Sequence, residues 1–304
     1  MQTAPLVYQP PSAAGWLRRE AATARTMVGE LVRYRELLVS LTVREIRVRY
    51  KQSVLGVAWA LFLPLTMMLI FTFVFTRAIP VTRLIEISMP YAVFAYIGLL
   101  PWIFFATSLT QAVNSLVANA TLVTKIYFPR EMFPFASVAS ALVDFLIGIA
   151  VLVGLVVYFH VAPDQSGATV NQGGQTIPGD WTFAFHPTLL LVPVVLSVQI
   201  VLTLGLAMLL SMANLFYRDV RYVFSVAIQL WMFLTNVIYP LPTESLVVCL
   251  NPMTPIIAAY RNLVIEGRLP DAGPSLYAVA VSAAVFLIGW RWFHATEFKF
   301  AERI

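Results

Sequence analysis

Asp144 is the one acidic side chain within the long apolar segments of this sequence. A carboxylate inside a membrane is costly, and such residues often mark the path of a substrate or a proton. Asp144 therefore has two interpretations: it faces a polar conduit, or it forms hydrogen bonds that hold neighbouring helices together. The candidate partners for the second interpretation are Gln111, Asn114 and Gln199.

The sequence lacks the motifs of common catalytic and metal sites. It has no G-x-x-x-x-G-K-[ST] phosphate loop, no nucleophile elbow and no His or Cys residues at metal-ligand spacing. His160, His186 and His294 lie at or beyond the ends of apolar segments, and Cys249 is the only cysteine. We therefore expect a chain that is not an enzyme and that holds no metal or cofactor. If it drives transport, another polypeptide supplies the energy.

Aromatic side chains in two apolar segments suit a sugar ligand. Sugar rings stack on aromatic faces, so an aromatic lining would hold a glycan while letting it slide. The alternative is that these rings face lipid or pack between helices. Together with Asp144, the candidate conduit residues are Trp59, Phe62, Trp231 and Phe233.

Residues 120–134 place an apolar tripeptide among charged side chains, between two apolar segments. An exposed apolar patch with a charged rim is typical of a docking surface for a partner. A short amphipathic helix in the membrane interface is the alternative. The predicted docking residues are Lys125, Ile126, Tyr127, Phe128, Arg130 and Glu131.

The composition indicates an integral membrane protein. Hydrophobic residues make up 60% of the chain and charged residues 12%, where soluble domains carry about 25% charged residues. The mean hydropathy is +0.80. The predicted fold is an all-α membrane protein.

The N-terminal part divides into a predicted flexible cytoplasmic tail, residues 1–24, and a predicted amphipathic helix, residues 25–53. Polar and basic residues at helical spacing form one stripe of that helix, beside an apolar stripe. The helix is predicted to lie in the membrane interface with its bases against lipid phosphates. A solvated helix packed on a neighbouring span is the alternative. The stripe consists of Arg33, Ser40, Arg44, Arg47 and Lys51.

Residues 54–304 are predicted to form a six-helix transmembrane domain. Apolar runs of about 20 residues, long enough to cross a bilayer, occupy 54–75, 91–117, 135–159, 189–212, 223–238 and 276–293, the fifth being short. The segment 241–265 is apolar but interrupted by Asn251-Pro252 and Pro255. Such an interrupted segment favours a re-entrant pair of short helices between the fifth and sixth spans.

The distribution of positive charge predicts the orientation of this domain. With both termini in the cytoplasm, 16 of the 20 Lys and Arg residues lie inside and four lie outside. This agrees with the positive-inside rule and predicts a multi-pass protein of the cytoplasmic membrane.

The outside loop, residues 160–186, contains Trp181, Phe183 and Phe185 at alternate positions. Alternation of this kind favours a small β-hairpin outside the membrane. A disordered loop fits the sequence about as well.

Several short motifs together resemble the permease subunits of ABC transporters that export polysaccharides, namely the O-antigen, capsule and teichoic-acid exporters. The match begins near residue 37 and continues to the C-terminus. The motifs are RYKQS at 49–53, LG at 55–56 with Trp59 and PL at 64–65, KIYFPRE at 125–131 with Pro134, NLFYRDV at 214–220, NP at 251–252 with YR at 260–261, and FAER at 300–303.

This resemblance implies a homodimer that works with two copies of a separate ATPase, which would bind ATP and Mg. It implies transport of a lipid-linked polysaccharide, most often of O-antigen type, with membrane lipids but no nucleic acid among its partners. A multidrug or lipid ABC permease is the alternative. The resemblance also implies an interfacial helix (Arg33, Arg44, Arg47, Arg49, Tyr50, Lys51), a cytoplasmic coupling element (125–131) and an outer gate (Asn251, Pro252, Tyr260, Arg261).

Overall fold

The computed structural model describes residue 29 and residues 33–51, 53–78, 90–125, 129–161, 169–172, 175–178, 186–238 and 246–296. Within these residues, five helices are long and apolar enough to cross a membrane: Gly56–Thr76, Tyr91–Ala118, Met132–Val161, Pro187–Phe216 and Ala272–Thr296. The protein is therefore a helical, multi-pass membrane protein, as its composition indicates. The predicted tail, residues 1–24, lies outside the described residues.

The helices are numbered in chain order: α1 Arg35–Tyr50, α2 Trp59–Phe73, α3 Tyr91–Ala118, α4 Ala120–Lys125, α5 Met132–Val161, α6 Val192–Phe216, α7 Val220–Phe233, α8 Leu246–Cys249, α9 Met253–Arg261 and α10 Ala272–Thr296. Short 3₁₀ turns precede α2 (Gly56–Ala58) and α6 (Pro187–Leu191). π-Helical turns follow α2 (Val74–Ala78) and α9 (Asn262–Glu266). Two strands, β1 Thr169–Gln172 and β2 Gln175–Pro178, pair antiparallel.

Helix α3 is the centre of the fold. Of its most apolar stretch, 78% of the residues are buried inside the protein, against 11–22% for the other four candidate spans. Its small and aromatic side chains pack against α2, α5 and α6 in one hydrophobic core. Pro101 lies inside this helix, and its carbonyl accepts a hydrogen bond from Gln199 Nε2 of α6 at 2.8 Å. The other spans are thus arranged around α3 and expose their outer faces.

Close backbone approach joins α6 to α10. A Cβ atom added to Gly205 would lie 2.6 Å from the backbone nitrogen of Phe286, and one added to Gly289 would lie 2.5 Å from the carbonyl oxygen of Gly205. Small residues at helix contacts are typical of membrane proteins, where van der Waals packing holds helices together. The last span is therefore fixed to α6.

Helix α7 is shorter than the fifth predicted span, 223–238. Its 14 residues rise about 21 Å, which is less than the ~30 Å hydrocarbon core of a bilayer. The chain continues from it in the turn Leu234–Ile238, which we call the outer turn. The described residues therefore contain five candidate spans rather than six.

The hairpin lies in the predicted outside loop, with Thr169 opposite Pro178 and Gln172 opposite Gln175. The alternating residues on which its prediction depended, 181–185, lie outside the described residues. The described strands come earlier in the chain than that alternation.

Helix α1 packs on the inner ends of the spans. Leu41 is buried beside Leu116 of α3 and Phe133 of α5. Gly56, with φ 53°, follows α1 where the chain enters α2, and a positive φ suits glycine because it has no Cβ. The structure thus packs the apolar side of α1 against the spans. Residues 25–28 and 30–32 of the predicted helix lie outside the described part.

Candidate conduit and coupling site

Asp144 forms an ion pair with Arg49, which links α5 to the end of α1. Arg49 Nη1 donates to one carboxylate oxygen of Asp144, and the Tyr50 hydroxyl donates to the other at 2.9 Å. The exposed fractions of the Arg49 and Asp144 side chains are 24% and 19%. A charge held at this depth needs a partner, and both oxygens of the carboxylate have one.

Further polar side chains from three helices surround Arg49. Its Nη2 atom donates to Gln111 Oε1 of α3 and lies 2.9 Å from Ser140 Oγ of α5. Ser140 Oγ is 3.2 Å from Glu45 Oε2, and Ser137 Oγ is 3.1 Å from Glu45 Oε1. We call these residues, with Tyr50 and Asp144, the inner polar network. It joins α1, α3 and α5 at the cytoplasmic end predicted from the charge distribution.

Of the three partners predicted for Asp144, one belongs to the inner polar network and two do not. Gln111 belongs to the network through Arg49, and Asn114 lines a neighbouring cavity. Gln199 is elsewhere, because its amide is bonded to Pro101 and to Tyr260. Sequence reasoning missed Glu45, whose contacts are 92 and 95 residues away along the chain.

Burial changes the ionisation of the network residues on α1. It raises the pKa of the Glu45 carboxyl above its ordinary value, against the opposing effects of the Ser137 and Ser140 hydrogen bonds and of the nearby arginines. Burial and the Asp144 carboxylate raise the pKa of the Tyr50 phenol. Tyr50 therefore keeps its proton near neutral pH and serves as a hydrogen-bond donor.

A cavity of about 260 Å³ lies beside the ion pair. Arg49, Tyr50 and Asp144 line its polar side, and Trp59 and Phe104 are among its apolar lining. The Trp59 side chain is 47% exposed and contacts Phe62 edge to face, with ring centroids 5.3 Å apart. An open aromatic ring next to charged and hydroxyl groups is an arrangement suited to a sugar, which has apolar faces and a rim of hydroxyls.

The other two predicted conduit residues lie apart from this cavity. Trp231 packs against Trp102 and Phe105, with centroids 6.4 and 5.2 Å away, and its Nε1 donates to Asn251. Phe233 is 51% exposed on the surface of α7. The structure therefore brings Trp59, Phe62 and Asp144 together and places Trp231 in a packed aromatic cluster.

The basic residues of α1 have different surroundings. Arg33, Arg47 and Lys51 are exposed, as a helix facing lipid phosphates or solvent requires. Arg44 Nη1 instead donates to Asn119 Oδ1 at 2.8 Å, and Arg49 is held in the network. The stripe predicted from spacing is therefore exposed along its length, with Arg44 also bonded to α3's C-terminal cap, whereas Arg49, outside the stripe, is partly buried.

The predicted docking segment is described only at its end. The apolar residues 126–128 and the Lys125 side chain lie outside the described residues. Arg130 is half-buried. Glu131 is 1% exposed, and its Oε1 is 3.8 Å from His294 Nε2 of α10. The sequence placed Glu131 on an exposed rim, whereas the structure buries it, because the carboxyl faces the last span instead of the cytoplasm.

The predicted outer-gate residues are built into the fold. Asn251, Tyr260 and Arg261 are buried, and Pro252 stands at the start of α9. The Tyr260 hydroxyl donates to Gln199 Oε1 at 2.9 Å, and Arg261 donates to backbone carbonyls of the outer turn. No group of three or more His, Cys, Asp or Glu side chains suited to a metal occurs among the residues that the structure describes.

With the spans, the inner helix and the network established, the chain can be compared with known proteins. Residues 36–265 match the family described as ABC-2 type transporter. The chain belongs to the ABC-2 type transporter family. The match begins in α1 and ends in the π-helical turn after α9, so it includes the inner polar network and the outer turn.

Curated members similar to this ABC-2 chain agree with that assignment. It is 32% identical over 284 residues to the O-antigen export system permease protein RfbA of Myxococcus xanthus, covering 91% of this chain and 99% of that one. It is 29% and 28% identical to two proteins of that name from Klebsiella pneumoniae, each covering 88% of this chain and 94% of the relative. The similarity thus covers nearly the whole length of each relative.

Proposed function

We propose that this chain is the permease subunit of an ATP-driven exporter that moves a lipid-linked polysaccharide, of O-antigen type, across the cytoplasmic membrane. The observation that carries this proposal is its similarity to three O-antigen export permeases along nearly their full length. The aromatic and polar cavity beside Trp59 supports a glycan substrate independently.

The finer topology of the proposed permease has six crossings with both termini in the cytoplasm. The fifth crossing is α7 extended by the outer turn, and the segment 241–265, which contains α8 and α9, re-enters the membrane from outside. Buried backbone at this depth is tolerated where protein groups satisfy it, and Asn251 and Arg261 supply such groups. The excess of Lys and Arg in the inside segments supports the orientation.

The active assembly in this proposal is a homodimer with two copies of an ATPase subunit, which binds ATP and Mg. Large apolar side chains on α2 and α7 are exposed, among them Leu69, Phe73, Val226 and Leu230. A second copy would cover part of such a surface. The segment 125–131 is the proposed contact with the ATPase, since its apolar residues come between charged ones on the inside.

The proposed conduit begins at the inner polar network. Trp59 and Phe62 would stack on sugar rings, while Asp144 and Tyr50 would present hydrogen-bonding groups to hydroxyls. Stacking holds a ring without selecting one hydroxyl, which suits a polymer that slides. Trp231 and Phe233 belong to the proposed wall of the conduit farther out. They are on α7, apart from Trp59 and Phe62 on α2.

Complementation tests this proposal. The chain and its ATPase are expressed in a strain that lacks its own O-antigen permease and makes the lipid-linked polymer, and the surface glycan is analysed. We expect surface polysaccharide with both subunits and none with the permease alone. Intracellular accumulation of polymer with both subunits expressed, while the recipient's own permease restores export, would contradict the assignment.

A further inference from the structure

Every backbone carbonyl of the outer turn has a hydrogen-bond donor, and four of the five carbonyls accept from side chains of three residues outside the turn. The carbonyl of Thr235 accepts from the backbone nitrogen of Val237. The other acceptors and donors are Leu234 with Asn251, Asn236 and Val237 with Arg261, and Ile238 with Tyr91. α7 ends at Phe233, so these side chains hold the non-helical backbone that follows it.

Asn251 uses both ends of its amide to join the outer turn to the start of α9. Its Nδ2 donates to the Leu234 carbonyl at 3.1 Å and to Thr235 Oγ1 at 2.7 Å. Its Oδ1 accepts from Trp231 Nε1 at 3.0 Å and from the Met253 nitrogen at 3.1 Å. The one side chain therefore fixes the last turn of α7, the outer turn and the first turn of α9.

Arg261 makes the second connection from the other end of α9. Its Nη1 and Nη2 donate to the Asn236 and Val237 carbonyls, each at 2.7 Å, and its guanidinium lies 3.8 Å from the Phe94 ring centroid of α3. Carbonyl dipoles at a helix end favour a cation, and the aromatic face adds to that attraction.

The backbone of α3 fits closely against this connection. A Cβ added to Gly98 would lie 2.3 Å from the Val237 carbonyl oxygen and 2.6 Å from Arg261 Nη2. Any side chain at position 98 would push the outer turn or the guanidinium away. Position 98 therefore offers a second, independent way to disturb the same contact.

From these contacts we infer that Arg261 and Asn251 lock α9 to the outer turn of the same chain, so that α7, the outer turn and α9 move as one body during transport. Arg261 is a positioning residue in this view: it holds α9 against the outer turn and does not touch the substrate. We call the contact between α9 and the outer turn of the same chain the seam. When the permease opens for a polymer, this body separates from a second copy of the chain, and the seam stays closed. The inference about opening rests on the proposed function.

Cysteine labelling tests the lock. Thr235 is fully buried in the seam, so Thr235→Cys is made in a Cys249→Ser background. The native Cys249, which is exposed close to the seam, is the positive control in the unmodified chain. A water-soluble maleimide is added to cells at rest and to cells exporting glycan. We expect Thr235→Cys to react at least about tenfold more slowly than Cys249 in both states, because labelling requires local opening.

Adding Arg261→Met removes the two charge-assisted hydrogen bonds to the outer turn, and we expect labelling at position 235 to rise more than about tenfold. Arg261→Lys, which keeps the charge, should give a smaller rise. If Arg261→Met does not accumulate as a folded chain in gel filtration, Gly98→Ala disturbs the same seam and should raise labelling likewise.

Two results would overturn the inference. Labelling of Thr235→Cys during export as fast as that of Cys249 would mean that the seam opens. Unchanged protection in both Arg261→Met and Gly98→Ala would mean that Arg261 is not the lock. The resting measurement needs no transport, so a failure of the proposed function, seen as absent export, is distinguished from a failure of the lock.

Discussion

Replacement of Arg49 by Met should weaken the attachment of α1 to α5. The substitution leaves the Asp144 carboxylate with Tyr50 as its remaining partner in the inner polar network. Breaking a fully buried ion pair costs about 3–5 kcal/mol, whereas an exposed pair contributes about 0–1 kcal/mol. With exposed fractions of 24% and 19% for the two side chains, we expect a loss of about 2 kcal/mol.

A double-mutant cycle separates this pair from its surroundings. Asp144→Asn keeps the shape of the side chain but removes its charge and one of the two oxygens that accept from Arg49 and Tyr50, and we expect it to cost about 1 kcal/mol. The double variant should lose about 1.5 kcal/mol less than the sum of the single losses, because neither charge is then left alone. The measurement is reversible unfolding of the purified chain in detergent micelles at fixed pH.

Arg47→Met is the matched control, since Arg47 is an exposed base on the same helix and should change stability by less than about 0.5 kcal/mol. The reasoning is refuted if the two single losses add within about 0.5 kcal/mol. It is also refuted if Arg49→Met is no more costly than Arg47→Met.

Four other outcomes are expected. The purified chain without an ATPase partner should not hydrolyse ATP, because it has no phosphate loop; contaminant-free hydrolysis would oppose the permease assignment. The double replacement Tyr127→Ala and Phe128→Ala should weaken co-purification with the ATPase, since two apolar anchors typically contribute more than about 2 kcal/mol; binding equal to that of the control Leu190→Ala would argue against this contact. Trp59→Ala should slow glycan export and leave the dimer intact, whereas Leu190→Ala, exposed away from the cavity, should have little effect; equal export rates in the two variants would exclude the stacking role. Because burial raises the pKa of Glu45, its carboxyl stabilises the fold below its ordinary pKa, and that stability is lost as pH rises through the raised pKa; the melting temperature should therefore fall over that pH range, and a similar fall in Glu45→Gln would assign it to another group.

The spans could be predicted closely from sequence because a membrane imposes a length and a composition on each of them. The second predicted span, 91–117, differs by one residue from the helix Tyr91–Ala118. The fifth predicted span, 223–238, is described as a 14-residue helix and a turn. An apolar run shows that a segment is buried, but it does not show where the helical hydrogen bonds stop. In α7 the helix stops at Phe233, and side chains bond the carbonyls of the turn that follows.

The partners of the polar residues could not be predicted, since they depend on contacts between distant parts of the chain. Asp144 was recognisable as unusual, but its partner Arg49 is 95 residues away along the chain and was assigned to the interfacial helix. Helical spacing identifies which residues share a face, and it does not identify what that face contacts. The same limit applies to Glu131, whose charge suggested exposure and whose carboxyl is buried.

Lipid tails are as apolar as leucine, so apolar burial alone gives helices in a bilayer little reason to choose one neighbour over another. Close backbone contacts and polar side chains must supply that choice. In this chain both occur along α3. At the end predicted to face the cytoplasm, Gln111 takes part in the network that holds α1 and α5. At the other end, Gly98 and Phe94 lie against Arg261 of α9, which bonds the outer turn. The most buried span, α3, therefore positions both α1 and the pair formed by α9 and the outer turn. Motion in transport is expected at the exposed faces of α2 and α7.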